Sequence, residues 1–168
     1  MVTFFEDDGE FLSIVTDFVK AGLDAGDSVV VVATGEHLAK LDIEYARLQI
    51  DVKAAELVGR YIQLDTNDVY PTLLSQGWPD QDCFDTVMAE VLQRGRMPGR
   101  VVRCIGEIVA VVWARGEHAA TIRLEHMWKK LVDVEHMVIL CMYPRRAFER
   151  DMAFGLQEVV RTHSIVKH

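Results

Sequence analysis

Glu107 is the only charged residue between Arg103 and Arg115; the run VVRCI precedes the Gly106-Glu107 pair and IVAVVW follows it. A carboxylate in such surroundings loses water when the chain folds and needs donors or a cation in exchange. Two solutions are open. It can head a helix, where unpaired backbone N–H groups and the dipole favour an acid. Alternatively it can sit in a polar pocket, since acids with perturbed surroundings often mark sites. Other polar residues close apolar runs in the same way: Thr34 and His37 come after SVVVVA, Asp65 ends YIQLD, and Tyr143 follows MVILCM. If those runs are neighbouring strands, their polar ends should gather along one margin, where ligands bind in sheets of this kind.

Arg123 and Glu125 add a further acid and base. Being two residues apart on one helix, they face different ways and cannot pair with each other. Glu125 is expected to pair with Lys129 one turn on, a solvent-facing contact worth about 0.3 kcal/mol. Arg123 is expected either to pair at the surface or to reach Glu107 across a helical hairpin that turns at Gly116, where a bidentate bond is available.

Covalent and metal chemistry have little to work with. There is no G-x-S-x-G and no Cys–His pairing that would announce a nucleophile. His118, His126 and His136 lack the i, i+4 spacing of a helical metal site, and Cys83, Cys104 and Cys141 form no C-x-x-C. Cys104 and Cys141 lie within apolar runs and read as small buried hydrophobes; Trp128 reads as a core filler. No G-x-x-x-x-G-K-[ST] occurs, and no Gly is followed by Lys, so the phosphate cradle of P-loop ATPases is missing. Neither a cofactor, a metal nor an enzymatic activity is expected.

The elements that must position these residues follow from periodicity. Phe11, Ile14, Val15, Phe18, Val19 and Leu23 recur at helical spacing before Gly26. SVVVVAT has no polar alternation, the mark of a strand covered on both faces in a parallel sheet. A second helix carries Leu38, Leu41, Tyr45 and Leu48, and YIQLD is a short strand. Residues 69–82, with Pro71, Gly77 and Pro79, read as irregular chain, and a helix with Phe84, Val87, Met88, Val91 and Leu92 comes next. After the turn RMPGR come a strand to Ile105, a helix headed by Glu107 and closed at Gly116, then a helix with Leu124, Met127, Trp128 and Leu131 buried and Lys129 and Lys130 in its last turn. MVILCMY is another fully apolar strand; FERDMAFGLQEVVRTHSIVKH reads as a helix and a short strand or tail. The alternation predicts a mostly parallel α/β sheet with helices on both faces, in one domain spanning residues 1–168.

Bulk properties narrow the partners. A formal charge of −8 and a pI near 5.2 oppose a broad grip on nucleic acid. No run approaches the roughly 18 apolar residues of a membrane span, and MVTFFEDDGEF lacks a signal peptide's basic flank. A soluble, cytoplasmic protein is expected.

The ordered set FFEDDGEFL, FVKAGLDAGDSVVVVATGEH, GRYIQLD, RCIGEIVAVVWARGEHAATIRLEHMW and ILCMYPRRAF closely resembles the MEDS domain, named for methanogen and methylotroph proteins and the sensory part of the regulator DcmR. The resemblance covers nearly the whole chain. It implies a three-layer fold related to RecA and KaiC proteins but without the P-loop, and sensing rather than catalysis, with a small organic compound as ligand. It carries the family's patterned polar positions onto Thr34, His37, Asp65, Arg103, Glu107, Arg123, Glu125 and Tyr143. Phe5 stands where the family often has tyrosine, which lessens any role for the amino-terminal strand. Family modules are commonly fused to a kinase or DNA-binding segment; the resemblance therefore implies a partner such as a histidine kinase or transcription regulator, or self-association as a homodimer.

Three functions remain open on these grounds. The first is a sensory domain with a polar pocket at the strand ends. The second is a nucleotide-binding ATPase like the RecA relatives, with Glu36 or Glu107 orienting water. The third is a non-catalytic interaction module using the apolar stretch around Leu73, Leu74 and Trp78.

Overall fold

The computed structural model describes residues 1–148 and 166–167. Its elements, in chain order, are β1 (Val2–Phe5), α1 (Asp8–Asp24), β2 (Ser28–Ala33), α2 (Gly35–Arg47), α3 (Val52–Leu57), β3 (Tyr61–Asp65), α4 (Thr66–Thr72), β4 (Leu74–Ser75), β5 (Trp78–Pro79), α5 (Gln81–Gly95), β6 (Val102–Gly106), α6 (Ile108–Ala114), α7 (His118–Glu135), β7 (Val138–Pro144), a 3-10 turn (Arg145–Phe148) and β8 (Val166–Lys167). Six strands form one sheet in the order β3-β2-β6-β7-β1-β8, and every pairing in it is parallel.

The unbroken valines of β2 explain the layering. Val29, Val31 and Ala33 pack with Phe11, Val15, Leu41 and Tyr45 of α1 and α2, while Val30 and Val32 pack with Phe84, Met88, Leu124 and Trp128 of α5 and α7. Successive strand residues point to opposite faces, so only a strand roofed on both sides can be apolar throughout. The result is the expected three-layer α/β arrangement. Helix starts are fixed by acids: Asp7 accepts the Glu10 N–H at 3.0 Å to open α1, and Asp80 accepts the Asp82 and Cys83 N–H groups at 3.0 and 3.1 Å to open α5. Each such cap contributes on the order of 1 kcal/mol.

Residues 69–82 are more regular than their prolines and glycine suggest. Asp65 accepts the Asn67 N–H at 2.8 Å and opens α4. Pro71 lies in the last turn of that helix, where its missing N–H removes one intrahelical bond and the helix ends one residue later. Gln76 and Gly77, with φ of 53° and 77°, then make the two-residue turn of a β4–β5 hairpin, the conformation that matches strand twist. Leu73 is sealed beneath it, whereas Trp78 remains 47 % exposed. Helix α7 extends past Lys129 and Lys130 to Glu135 before His136 turns left-handed at φ 50°. The helix expected after Phe148 lies outside the described residues; the short strand expected at the end is β8.

Gly106 ends β6 hard against β2. A Cβ there would sit 2.6 Å from the Val32 carbonyl oxygen and 3.0 Å from Val32 Cβ. Gly106→Ala therefore has to push the two strands apart. It should lower the unfolding free energy by about 1–3 kcal/mol, read from the urea midpoint at an unchanged denaturant slope.

Candidate functional site

The chain leaves β2 toward β3 on one side of the sheet and leaves β6 toward β7 on the other. The carboxyl ends of β2 and β6 therefore diverge, making the crevice in which open α/β sheets usually hold ligands. Thr34 follows the first of these strands and Glu107 the second.

Glu107 occupies the N-cap position of α6, yet its side chain does not cap that helix. Instead Oε1 crosses the crevice, accepting the Thr34 N–H at 2.8 Å and lying 2.7 Å from His37 Nδ1. Both donors belong to the start of α2, whose dipole adds to the attraction. The close approach at Gly106 brings the Glu107 N–H within 3.0 Å of the Val32 oxygen, which aims the side chain at Thr34. Glu107 is 4 % exposed. Of the two roles the sequence left open for it, a cap on its own helix is excluded.

The contacts continue outward from His37. Its ring stacks on Phe11, centroids 4.0 Å apart, and Nε2 lies 3.5 Å from Asp8 Oδ1. Lys40 Nζ bridges Asp8 at 2.5 Å and Glu36 at 2.6 Å. Asp65 flanks the same turn, since a Cβ on Gly35 would meet its Oδ2 at 2.7 Å. Next to it, the Thr66 hydroxyl is buried without a hydrogen-bond partner among the described residues. Thr34, His37, Asp65 and Glu107 thus lie together at this margin. Asp8 and Lys40 belong to the network and were missed. The Glu36–Lys40 spacing of four was a visible signal; Asp8 reaches His37 across 29 residues, which no local pattern reveals.

The other predicted residues lie elsewhere. Arg103, second in β6, points to the α1 face and holds Asp27 Oδ2 at 2.6 Å, at the opposite margin of the sheet. Asp27 also accepts the Val101 N–H at 3.2 Å, so this pair ties the starts of β2 and β6. Arg123 does not reach Glu107. The α6–α7 hairpin carries it to β5, where Nε donates to the Pro79 carbonyl at 2.5 Å and pins the β4–β5 hairpin to α7. Glu125 makes no surface pair with Lys129, which bonds Asp133 instead. It is 1 % exposed and accepts the Tyr143 O–H at 2.7 Å, with Cys141 Sγ at 3.7 Å from its other oxygen. The reason is position on the helix: Thr121, one turn before Glu125, and Trp128, nearly one turn after, both face the core. Tyr143 thus closes its strand as predicted, but it joins a buried cluster beneath the sheet.

Two open grooves lie at the margin away from Glu107. One of about 310 Å³ runs between the end of α1 and the α2–α3 link, and a broader one of about 750 Å³ lies where α5 ends beside Glu135. Among the described residues no group of three or more His, Cys, Asp or Glu side chains is placed to hold a metal ion, and no helix is long and apolar enough to cross a membrane.

A family model described as MEDS, the methanogen/methylotroph, DcmR sensory domain, matches residues 1–164. The chain belongs to the MEDS family. A search of curated proteins finds no match. MEDS is a sensory domain family, so a sensory or regulatory role follows for this chain at the family's level of description. The three-layer sheet of this MEDS chain places its polar groups in two separate clusters, one at the carboxyl margin around Glu107 and one sealed around Glu125.

The sealed cluster has a pH signature. Burial pushes the Glu125 carboxyl up to about 7, against the opposing hydrogen bonds from Tyr143 and Cys141. A folded-state value above the ordinary 4.5 means that the folded chain keeps a proton the unfolded chain releases, so stability falls as pH rises from 4.5 to about 7 and levels off above. Glu125→Gln should remove that decline: urea unfolding at about pH 5 should change little, while at about pH 8 the variant should be the more stable by a few kcal/mol.

Proposed function

We propose that this MEDS chain is a sensory domain in which the Glu107 carboxylate, held on the amino end of α2, is the group that a small organic ligand displaces. The observation that carries the reading is the single oxygen that accepts Thr34 N–H and meets His37 across the crevice between β2 and β6. A ligand shifts a two-state equilibrium only through unequal affinity for the states. Here it gains by taking Glu107's place on donors already aimed into the crevice. The Thr66 hydroxyl, without a partner among the described residues, offers a further bond at the same margin. Release of Glu107 would loosen the junction between α2 and α6, and the displaced surface would be read by a histidine kinase or transcription regulator, or by a second copy of the chain.

The arrangement disfavours the ATPase reading. In P-loop proteins the helix start after such a strand receives phosphate. Here the chain's own carboxylate occupies it, with Asp8, Glu36 and Asp65 close by and Lys40 already taken up by two of them, so anionic phosphate would meet net repulsion.

Glu107→Ala strands the Thr34 N–H and the His37 ring in a buried setting, and the expected loss is about 1–3 kcal/mol. Glu107→Gln keeps an acceptor at the same place and should fold with a smaller loss. Thermal-shift screening of small organic compounds against both folded variants should show a response that differs from that of the unmodified chain. Identical responses for all three proteins would remove Glu107 from the sensing site.

An interaction-module reading is favoured by Trp78, half exposed on a hairpin that Arg123 holds in place. If that surface joins two copies, light scattering should show a dimer that Trp78→Ser dissociates. A monomer in both cases would leave the hairpin as a cover for Leu73.

A further inference from the structure

His37 sits between two carboxylates from two other elements. Nδ1 is 2.7 Å from Glu107 Oε1, and Nε2 is 3.5 Å from Asp8 Oδ1. Both oxygens are acceptors, because an ionised carboxylate has no proton to give. A neutral imidazole carries one N–H, so either tautomer turns a lone pair toward one of the two acids. Only the imidazolium donates to both. The ring has little freedom to turn away, since it lies flat on Phe11 with 19° between planes and its side chain is 14 % exposed.

We propose that His37 is a proton-operated latch: protonated, it fastens the start of α1 through Asp8 to the start of α2 and, through Glu107, to the β6–α6 junction; deprotonated, it keeps the shorter Glu107 bond and leaves Asp8 held to α2 by Lys40 alone. The two bonds are unequal. The Glu107 bond is short and enclosed, with a carboxylate side chain 6 % exposed, whereas the Asp8 bond is long and Asp8 is 51 % exposed. Loss of a proton therefore costs the outer bond first. This device acts on the same carboxylate as the proposed sensory site but does not depend on any ligand, so it stands or falls separately.

The charges around the ring come from every element packed near it. On α1, Asp7 is occupied as the helix cap and Asp8 faces the ring; on α2, Glu36 and Lys40 lie on the outer side. Glu107 comes from the β6–α6 junction, and Asp65 flanks Gly35 from the end of β3. Lys40 is the permanent cation beside the ring, and its bonds to Asp8 and Glu36 partly offset the acids. Burial pulls the imidazole down, and the bonds to Glu107 and Asp8 outweigh it, leaving His37 above the ordinary 6.5. Asp8 is held below its ordinary value by the Lys40 bond and then by His37. The sign follows: the latch stabilises fully below 6.5, and its contribution disappears as pH rises through the folded-state value.

The test is an NMR titration of the His37 ring nitrogens in the intact chain and in Asp8→Asn, a change at a half-exposed position that leaves the Glu107 bond intact. The expected result is a midpoint above 6.5 that drops in the variant, with the Glu10 and Phe11 amide signals titrating at the same midpoint as the ring. Thermal unfolding should show the two proteins further apart at about pH 6 than at about pH 8.5; the Glu125 contribution, common to both, cancels. A midpoint at or below 6.5, or one that Asp8→Asn leaves unmoved, overturns the latch, as does a stability difference that is the same at both pH values.

Discussion

One carboxylate oxygen receives two donors across the line where the sheet changes winding direction, and much of the carboxyl margin depends on it. Strands β2 and β6 are neighbours, but their chains depart to opposite sides, so no covalent connection closes the gap between their ends. Glu107 closes it from within. Its own backbone is drawn in by the bond to the Val32 oxygen, which the absence of a side chain at Gly106 permits. Its side chain then satisfies the start of α2 instead of the start of α6. Burying an acid this deeply is expensive without partners, and the hydrogen bonds from Thr34 and His37 offset the loss of water.

The two margins of the sheet are built differently. At the amino margin the fastenings run from arginines to backbone and to acids: Arg60 donates to the Leu23 and Asp27 carbonyls, Arg100 to the Gly26 carbonyl, Arg103 to the Asp27 carboxylate and Arg96 to the Glu135 carboxylate. Arginine stays charged at any ordinary pH, so those fastenings are permanent. At the carboxyl margin Lys40 and Arg145 make fastenings of the permanent kind, and a histidine joins them, the side chain whose charge changes near neutrality. Adjustable polarity is thereby added at one end of the strands.

Much of this was legible in the sequence, for definable reasons. The unbroken valines of β2 announce a strand roofed on both faces, and a lone acid between two apolar runs announces a buried carboxylate; both signals are local, and both are met. Partners are another matter. Glu107 finds Thr34 and His37 at separations of 73 and 70 residues, so only the strand order could have supplied them. Arg123 was expected at a surface pair or on Glu107 across the hairpin, but the α6–α7 hairpin directs it to a carbonyl on β5. Glu125 was read from its spacing to Lys129, when its neighbours Leu124 and Trp128 already placed it beside the core. Pro71 and Gly77 were read as marks of irregular chain, although an acid at Asp65 and a left-handed Gln-Gly pair suffice to make a helix and a hairpin.

The place of β1 has a consequence for biogenesis. It lies inside the sheet, with Val2 beside Cys141 on one side and Val166 on the other. During translation this strand is made long before either of its neighbours. Its apolar residues, Val2 and Phe5 among them, lack their strand partners meanwhile, and completing the sheet falls in the slow regime of long-range parallel pairing.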